Sequence, residues 1–165
     1  DRDVTGVQTC ALPILVTEVI EQAGAKVIVF VPFVAVIDKV ISHIRSAGYT
    51  AEAIHGGVSK NERDRIFSDF MKTDAPHVIV AQPAAMSHGL TLTAANTIIW
   101  YAPIASNETW EQANARITRP GQKHSQLIVM IEGTDIERKY YQRLKEKQRV
   151  QGLLLGMIQD SRGKI

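Results

Sequence analysis

Five short segments built almost entirely from β-branched, aliphatic and aromatic residues constrain the fold of this chain most. They lie at residues 26–33 (KVIVFVPF), 50–54, 77–81, 97–101 and 126–131. A strand made of such residues on both faces is typical of a sheet that is covered on both sides. The five segments therefore predict a mainly parallel sheet inside the domain.

The gaps between these strands have helical patterns. Apolar residues recur at helical spacing over residues 15–22 and 34–47, and Gly48 follows the second segment as a helix stop. Three further helices are predicted to start where a hydroxyl side chain can cap the first turn: Ser59, Ser106 (running to about Arg119) and Thr134. The alternation predicts one α/β domain with helices on both faces of the sheet.

Composition sets only loose limits. The 165 residues carry a formal net charge of +2, which permits contact with phosphates without arguing for it. Cys10 is the one cysteine, so no internal disulfide can form, and a reducing compartment is indicated. No apolar run reaches the roughly 20 residues of a membrane helix. We expect a cytoplasmic protein, in a bacterium or a phage-infected host cell, with no membrane contact.

The two ends of the chain differ in character from the middle. Residues 1–14 resemble translated sequencing-adapter read-through and are expected to be a non-native leader, and an irregular N-terminal arm is the alternative. Residues 15–150 are expected to form the domain. Residues 151–165, with three leucines in a row at 153–155, are expected to form a helical tail.

One predicted helix carries a pair of arginines. Gln112, Arg116 and Arg119 are spaced four and three residues apart, so on a continuous helix they share one face. Guanidinium groups make planar, bidentate contacts with oxyanions, which predicts a polyanion site. A solvated basic face beside Glu108 and Glu111 is the alternative that spacing alone leaves open.

Four segments, in order, resemble motifs of superfamily 2 helicases. Motif IV is similar to VIVFVPF, and the motif after it to HGGVSKNERDRIFSDF. Motif V is similar to HGLTLTAANTIIWYAP, and motif VI, Gln-x-x-Gly-Arg-x-x-Arg, to QANARITRPGQ. The resemblance covers residues 15–148, is Swi/Snf-like in its Gly-Gln ending, and is closest to phage and prophage helicases. It implies a RecA-like three-layer fold.

The resemblance also implies roles in nucleotide binding. Arg116 and Arg119 are expected to reach the ATP phosphates, with Arg119 as the arginine finger. Gln112 is expected to couple the nucleotide state to domain closure. Gly89 and Thr91 are expected to lie beside the nucleotide, where a glycine lets the backbone approach closely.

The same resemblance implies contacts with the backbone of a nucleic acid, which position a strand without reading its sequence. DNA is the expected partner and RNA an open alternative. The matching positions are Pro32, Phe33, His55, Gly56, Gln82, Ser87 and His88. For Phe33 a place in the core is the alternative, and for His55 the shaping of a turn. Three cations that follow, Lys60, Arg63 and Arg65, are diluted by acids, which favours a solvated helix face for them.

A complete ATPase site needs parts that the pattern of this chain does not supply. Neither Gly24-Ala25-Lys26 nor Gly163-Lys164-Ile165 fits the Gly-x-x-x-x-Gly-Lys phosphate loop, and no metal site is expected here. ATP with Mg²⁺ is therefore expected to be held largely by an N-terminal RecA-like domain of the same protein. The sequence predicts the C-terminal motor domain of an ATP-dependent DNA helicase or translocase, inactive by itself. A stand-alone nucleic-acid-binding or regulatory module without ATPase function is the alternative.

Overall fold

All five predicted strands are present in the computed structural model, which describes residues 4–86, 91–118 and 125–162. They are β1 (Lys26–Phe30), β2 (Ala51–Ile54), β3 (Val78–Ala81), β4 (Ala95–Trp100) and β5 (Leu127–Met130). The strands form one sheet in the order β2-β3-β1-β4-β5, and every neighbouring pair is parallel. The predicted parallel sheet is confirmed. Four strands are slightly shorter than their apolar segments, whereas β4 begins two residues before its segment.

Helices connect the strands and cover both faces of the sheet. They are α1 (Val4–Gln22), α2 (Val34–Ser46), α3 (Lys60–Lys72), α4 (Asn107–Asn114) and α5 (Asp135–Arg162). A 3-10 turn, Pro83–Met86, follows β3. No helix in the described ranges is long and apolar enough to cross a membrane.

Alternation along the strands divides the core in two. Val27 and Val29 of β1 point to one face, where α1 and α2 pack, while Ile28 and Phe30 point to the other, where α3, α4 and α5 pack. The second half contains a run of aromatic rings from Phe30 through Trp100 and Trp110, with centroids 4.8 and 4.4 Å apart. The expected three-layer α/β architecture is confirmed.

The hydroxyl caps predicted at Ser106 and Thr134, and the helix stop at Gly48, are present in the structure. The Ser106 hydroxyl accepts a hydrogen bond from the Thr109 amide at 3.2 Å. Thr134 and Glu137 form a reciprocal capping box, because each side chain accepts from the other residue's backbone amide, at 3.2 and 3.0 Å. Gly48 ends α2 with a φ of +94°, a conformation that favours glycine.

The helix that carries Gln112 is shorter than predicted, which is a correction. It ends at Asn114, and the chain continues through tight turns in which the Arg116 amide donates to the carbonyl of Ala113 at 3.2 Å. The Arg116 carbonyl accepts from the Leu92 amide at 2.7 Å, so this backbone is bonded to another segment and leaves the helix. Gln112 and Arg116 therefore do not share the face of one continuous helix.

The last helix is longer than its charged first half suggested. α5 runs without a break over 28 residues, and its domain-facing side is fixed by buried Tyr141 and Leu144. Beyond Val150 its apolar side chains are exposed, with Leu154 55% and Met157 69% accessible.

Candidate functional site at the carboxyl edge of the sheet

Three of the loops predicted to touch nucleic acid follow neighbouring strands. The strand order puts β2, β3 and β1 side by side, so His55, Gln82 and Pro32 begin adjacent loops at one edge of the sheet. Neighbouring strands lie about 5 Å apart, so the three loops start within roughly 10 Å. The fold thus brings these predicted residues together, although they are separated by up to fifty positions in sequence.

Phe33 is an exposed residue of this edge and not part of the core. Its side chain is 65% accessible, and it occupies the position just before α2, where it makes no capping hydrogen bond. Pro32 beside it is half-buried. The core alternative for Phe33 is therefore wrong, and its ring is available for contact.

His55 shapes the turn that follows β2. Its Nδ1 accepts a hydrogen bond from the Gly57 amide at 3.1 Å. A Cβ added at Gly57 would lie 3.0 Å from the His55 ring, so glycine leaves room for this arrangement. Gly56 has open space where a side chain would stand. The turn-shaping alternative for His55 is confirmed, and a phosphate contact through this loop stays a prediction.

The loop after β3 is described only in part. The Gln82 amide donates to the Ile54 carbonyl at 2.8 Å, which ties the end of β3 to the end of β2, and its side chain is half-buried. Thr91 is half-buried and directly precedes the Leu92 amide that bonds Arg116. The predictions for Ser87, His88 and Gly89 lie outside the described residues.

Arg116 is half-buried and lines a cavity of about 340 Å³ between α3 and the 3-10 turn. Two further cations line the same cavity, Lys60 and Arg63, with one carboxylate, Asp64. The remaining walls are apolar and come from Phe67, Ala85 and Met86. Three cations against one carboxylate, in a partly apolar cleft, make a cavity suited to a phosphate.

Partial burial strengthens the attraction between the cations of this cavity and an approaching anion. Loss of hydration lowers the pKa of the Arg116 guanidinium from its usual value, although an arginine stays charged in proteins. A cation that has lost part of its hydration gains more from an approaching anion than a fully exposed one does. Arg63 adds a second such group, because its buried Nε has no hydrogen-bond partner among the described residues.

The cations of α3 fall into two groups. The Arg65 guanidinium donates to Glu62 at 3.1 Å and to Asp69 at 2.9 Å, and it lies 3.7 Å from Glu52. Hydrogen bonds to Glu62 and Asp69 raise the pKa of Arg65 and engage three of its five N–H donors. Among the described residues, Arg63 instead donates one long bond, 3.4 Å, to the Val58 carbonyl. The solvated-face prediction describes Arg65 and Lys60, which are both exposed, whereas Arg63 is half-buried and lines the cavity.

A signal in the sequence could have separated these cations. Lys60 and Arg63 lie seven and four positions before Phe67, which is buried, so they share its helical face. Arg65 lies three positions after Glu62 and four before Asp69, which places it between two acids on another face. Helical spacing, and not the sum of charges, distinguishes them.

Gln112 is not among the described residues that line the cavity. The Gln112 side chain donates to Glu108 one turn earlier, at 3.1 Å, so in this structure it is engaged within α4. Arg119 lies outside the described residues. Within the described ranges no group of three or more His, Cys, Asp and Glu side chains is arranged to hold a metal ion.

Comparison with known proteins places this geometry in a family. The model of the helicase conserved C-terminal domain matches residues 11–121, which is more than half of the chain. The DNA repair protein rhp54 of Schizosaccharomyces pombe is 26% identical over 85% of this chain and 17% of its own length. The human chromatin-remodeling ATPase INO80 is 28% identical over 88% of this chain and 9% of its own length. The chain thus spans less than a fifth of these relatives.

Solved structures agree on the fold. The C-terminal part of the Fun30 ATPase domain superposes with a TM-score of 0.71 at 24% identity, covering 82% of this chain and 44% of that one. The C-terminal domain of the DEAD-box protein Dbp5 gives the same TM-score at 17% identity, covering 84% and 78%. The chain therefore belongs to the helicase conserved C-terminal domain family, as a RecA-like domain with Swi/Snf-like relatives.

Proposed function

We propose that this chain is the C-terminal motor domain of an ATP-dependent DNA helicase or translocase. In this role Arg116 and Arg119 stabilise the charge that develops on the γ-phosphate of ATP, which binds between this domain and an N-terminal RecA-like domain. That other domain supplies the phosphate loop and the ligands of Mg²⁺. The proposal rests on family membership and on the chemistry of the cavity. Among the relatives, one is named as a DNA repair protein and another as a chromatin-remodeling ATPase.

The observation that carries the proposal is the cavity of Arg116, Lys60 and Arg63. Phosphoryl transfer needs positive charge that is fixed in place before the reaction, because a flexible, fully hydrated cation must first reorganise. Arg116 meets this requirement in part, since its backbone is bonded to Leu92 and its side chain is half-buried. A domain that presents fixed cations in this way can supply one half of a shared site.

The nucleic-acid contacts are assigned to the adjacent loops after β1, β2 and β3. Exposed Phe33, the open Gly56 and the end of β3 at Gln82 form a continuous edge that a sugar-phosphate backbone can follow. Contacts of this kind hold any sequence, as a translocating motor requires. Ser87 and His88 belong to the same assignment by sequence.

The test compares ATP turnover in two proteins. The isolated chain is expected to show no ATPase activity above background, with or without DNA. The complete motor, in which an N-terminal RecA-like domain accompanies this one, is expected to hydrolyse ATP with stimulation by DNA. Turnover by the isolated chain would contradict the shared site. DNA binding without turnover in the complete protein would favour the stand-alone binding module instead.

A further inference from the structure

A buried polar contact joins the end of β4 to the residue at which α4 stops. Asn114 is 7% accessible, and its Oδ1 accepts a hydrogen bond from Nε1 of Trp100 at 2.8 Å. Indole Nε1 can only donate, so the orientation of the Asn114 amide follows from its partner. Among the described residues, Asn114 and Thr97 are the two buried polar side chains. Burial of a polar side chain is tolerated when it is hydrogen-bonded, and the bond to Trp100 meets this condition.

Trp100 is a rigid anchor for this contact. Its ring is fully buried and lies against Phe30 and Trp110, at 4.8 and 4.4 Å between centroids. Its carbonyl accepts from the Ile131 amide at 2.9 Å and from the hydroxyl of Tyr141 at 3.2 Å. Because Trp100 is held on several sides, it cannot move to follow Asn114. The position of Trp100 therefore determines where the Asn114 side chain lies.

Asn114 lies two positions before Arg116, at the point where helical geometry ends. Beyond it the Arg116 segment is held by short-range turn bonds and by the Leu92 amide. We propose that Asn114 is a positioning residue, which through Trp100 fixes the exit of α4 so that the Arg116 guanidinium stays in the cavity with Lys60 and Arg63. The inference rests on the proposed function, because it assumes that Arg116 contacts a phosphate.

The physical reason lies in where the constraint is applied. A helix determines the direction of its own residues, but Arg116 is outside α4 and needs a tertiary contact to set its direction. Productive contacts with a phosphate require placement to within a fraction of an ångström. The Asn114–Trp100 bond supplies one fixed point on one side of Arg116, and the bond from Leu92 supplies the other.

The experiment separates positioning from stability with three variants of the chain. Trp100→Phe removes the indole donor together with part of the buried ring system, Asn114→Leu removes the amide, and the double variant replaces both partners with apolar groups. Each single change leaves one buried polar partner unsatisfied, whereas the double variant leaves neither. The loss of stability in the double variant is therefore expected to be smaller than the sum of the losses in the two single variants.

Binding is measured by titrating inorganic tripolyphosphate into the chain labelled with ¹⁵N-arginine. The Nε–Hε resonance of Arg116 is assigned by its loss in Arg116→Lys. The double variant is expected to bind roughly fivefold more weakly than the wild type, the factor that one hydrogen bond's free energy corresponds to. Wild-type affinity in a folded double variant would overturn the positioning role.

Arg116→Ala distinguishes this inference from the proposed function. Loss of tripolyphosphate binding in Arg116→Ala, with normal binding in the double variant, overturns the positioning role alone. Unchanged binding in Arg116→Ala contradicts the phosphate cavity itself. If the double variant does not fold, Trp100→Phe serves in its place, since it keeps an aromatic ring in the core.

Discussion

Arg63 and Arg65 stand two residues apart on the same helix, yet their surroundings differ completely. Arg65 is surrounded by Glu52, Glu62 and Asp69, so three of its five N–H donors and most of its charge are already engaged. Arg63 turns toward Phe67 and the cavity that also holds Arg116. The difference teaches that the availability of a cation depends on which acids share its helical face, because a saturated guanidinium has little left to offer a phosphate.

The largest effect is expected from the cations of the phosphate site. In the complete motor, Arg119→Ala should lower the rate of ATP turnover by about 10³-fold or more, the scale of an arginine finger, while ATP binding largely survives. The measurement is steady-state ATPase kinetics together with binding of a non-hydrolysable ATP analogue. Arg65→Ala is the matched control and should leave turnover near normal. Near-normal turnover in Arg119→Ala would remove the finger assignment.

A smaller effect is expected in DNA binding by the isolated chain. Phe33→Ala removes an exposed ring at the carboxyl edge and should weaken binding of a fluorescein-labelled single strand by roughly tenfold, since stacking on a base contributes about 1–3 kcal/mol. Fluorescence anisotropy at fixed salt measures it. Met71→Ala, an exposed apolar residue late in α3, is the control. Equal affinity in the two variants would place the nucleic-acid contact elsewhere.

The comparison between the two arginines can be tested by salt dependence. Arg63→Ala should weaken binding of a fluorescent nucleoside triphosphate severalfold and make log affinity fall less steeply with log salt, because one cation of the phosphate cavity is removed. Arg65→Ala should leave both the affinity and the slope nearly unchanged. The measurement is anisotropy at a series of salt concentrations. A larger slope change in Arg65→Ala would reverse the assignment.

The smallest effect is expected in the pH dependence of thermal stability that the Arg65–Glu62 ion pair contributes. The hydrogen bond from Arg65 lowers the pKa of Glu62 below its usual value, so the folded state holds this proton less tightly than the unfolded chain. The resulting stability is present above the unfolded pKa, about 4.3, and is lost as pH falls through the lower folded pKa. Thermal melting between pH 5 and roughly 3 should therefore show a shallower decline in Arg65→Met than in the wild type. An unchanged decline would indicate that the pair contributes nothing.

Much of the fold follows from the sequence, because its signals are local. The β-branched segments and the hydroxyl caps at Ser106 and Thr134 specify strands and helix starts through nearest neighbours. The end of α4 does not, because it depends on the Leu92 amide and on Trp100, which come from distant segments. The helical sequence pattern through residue 119 does not indicate those tertiary hydrogen bonds.

The candidate site divides in the same way. Arg116 was identified through its motif, whereas its companions Lys60 and Arg63 lie more than fifty positions away on α3. Phe33 and His55 each had an open alternative, and only three-dimensional placement showed that the ring of Phe33 is exposed and that His55 bonds Gly57. Sequence identifies residue types and motif order, but the neighbours of a side chain across the fold come from packing.

The most direct test of the account is ATP turnover by the complete motor with Arg116→Ala and, in parallel, Arg65→Ala. Both changes remove one guanidinium, so the total charge is the same in the two variants and only the location differs. The account predicts that Arg116→Ala lowers the turnover number by roughly 10²-fold or more, while Arg65→Ala stays within about twofold of the wild type. Equal turnover in the two variants would contradict the claim that the cavity beside α3 is the phosphate-facing half of an ATPase site.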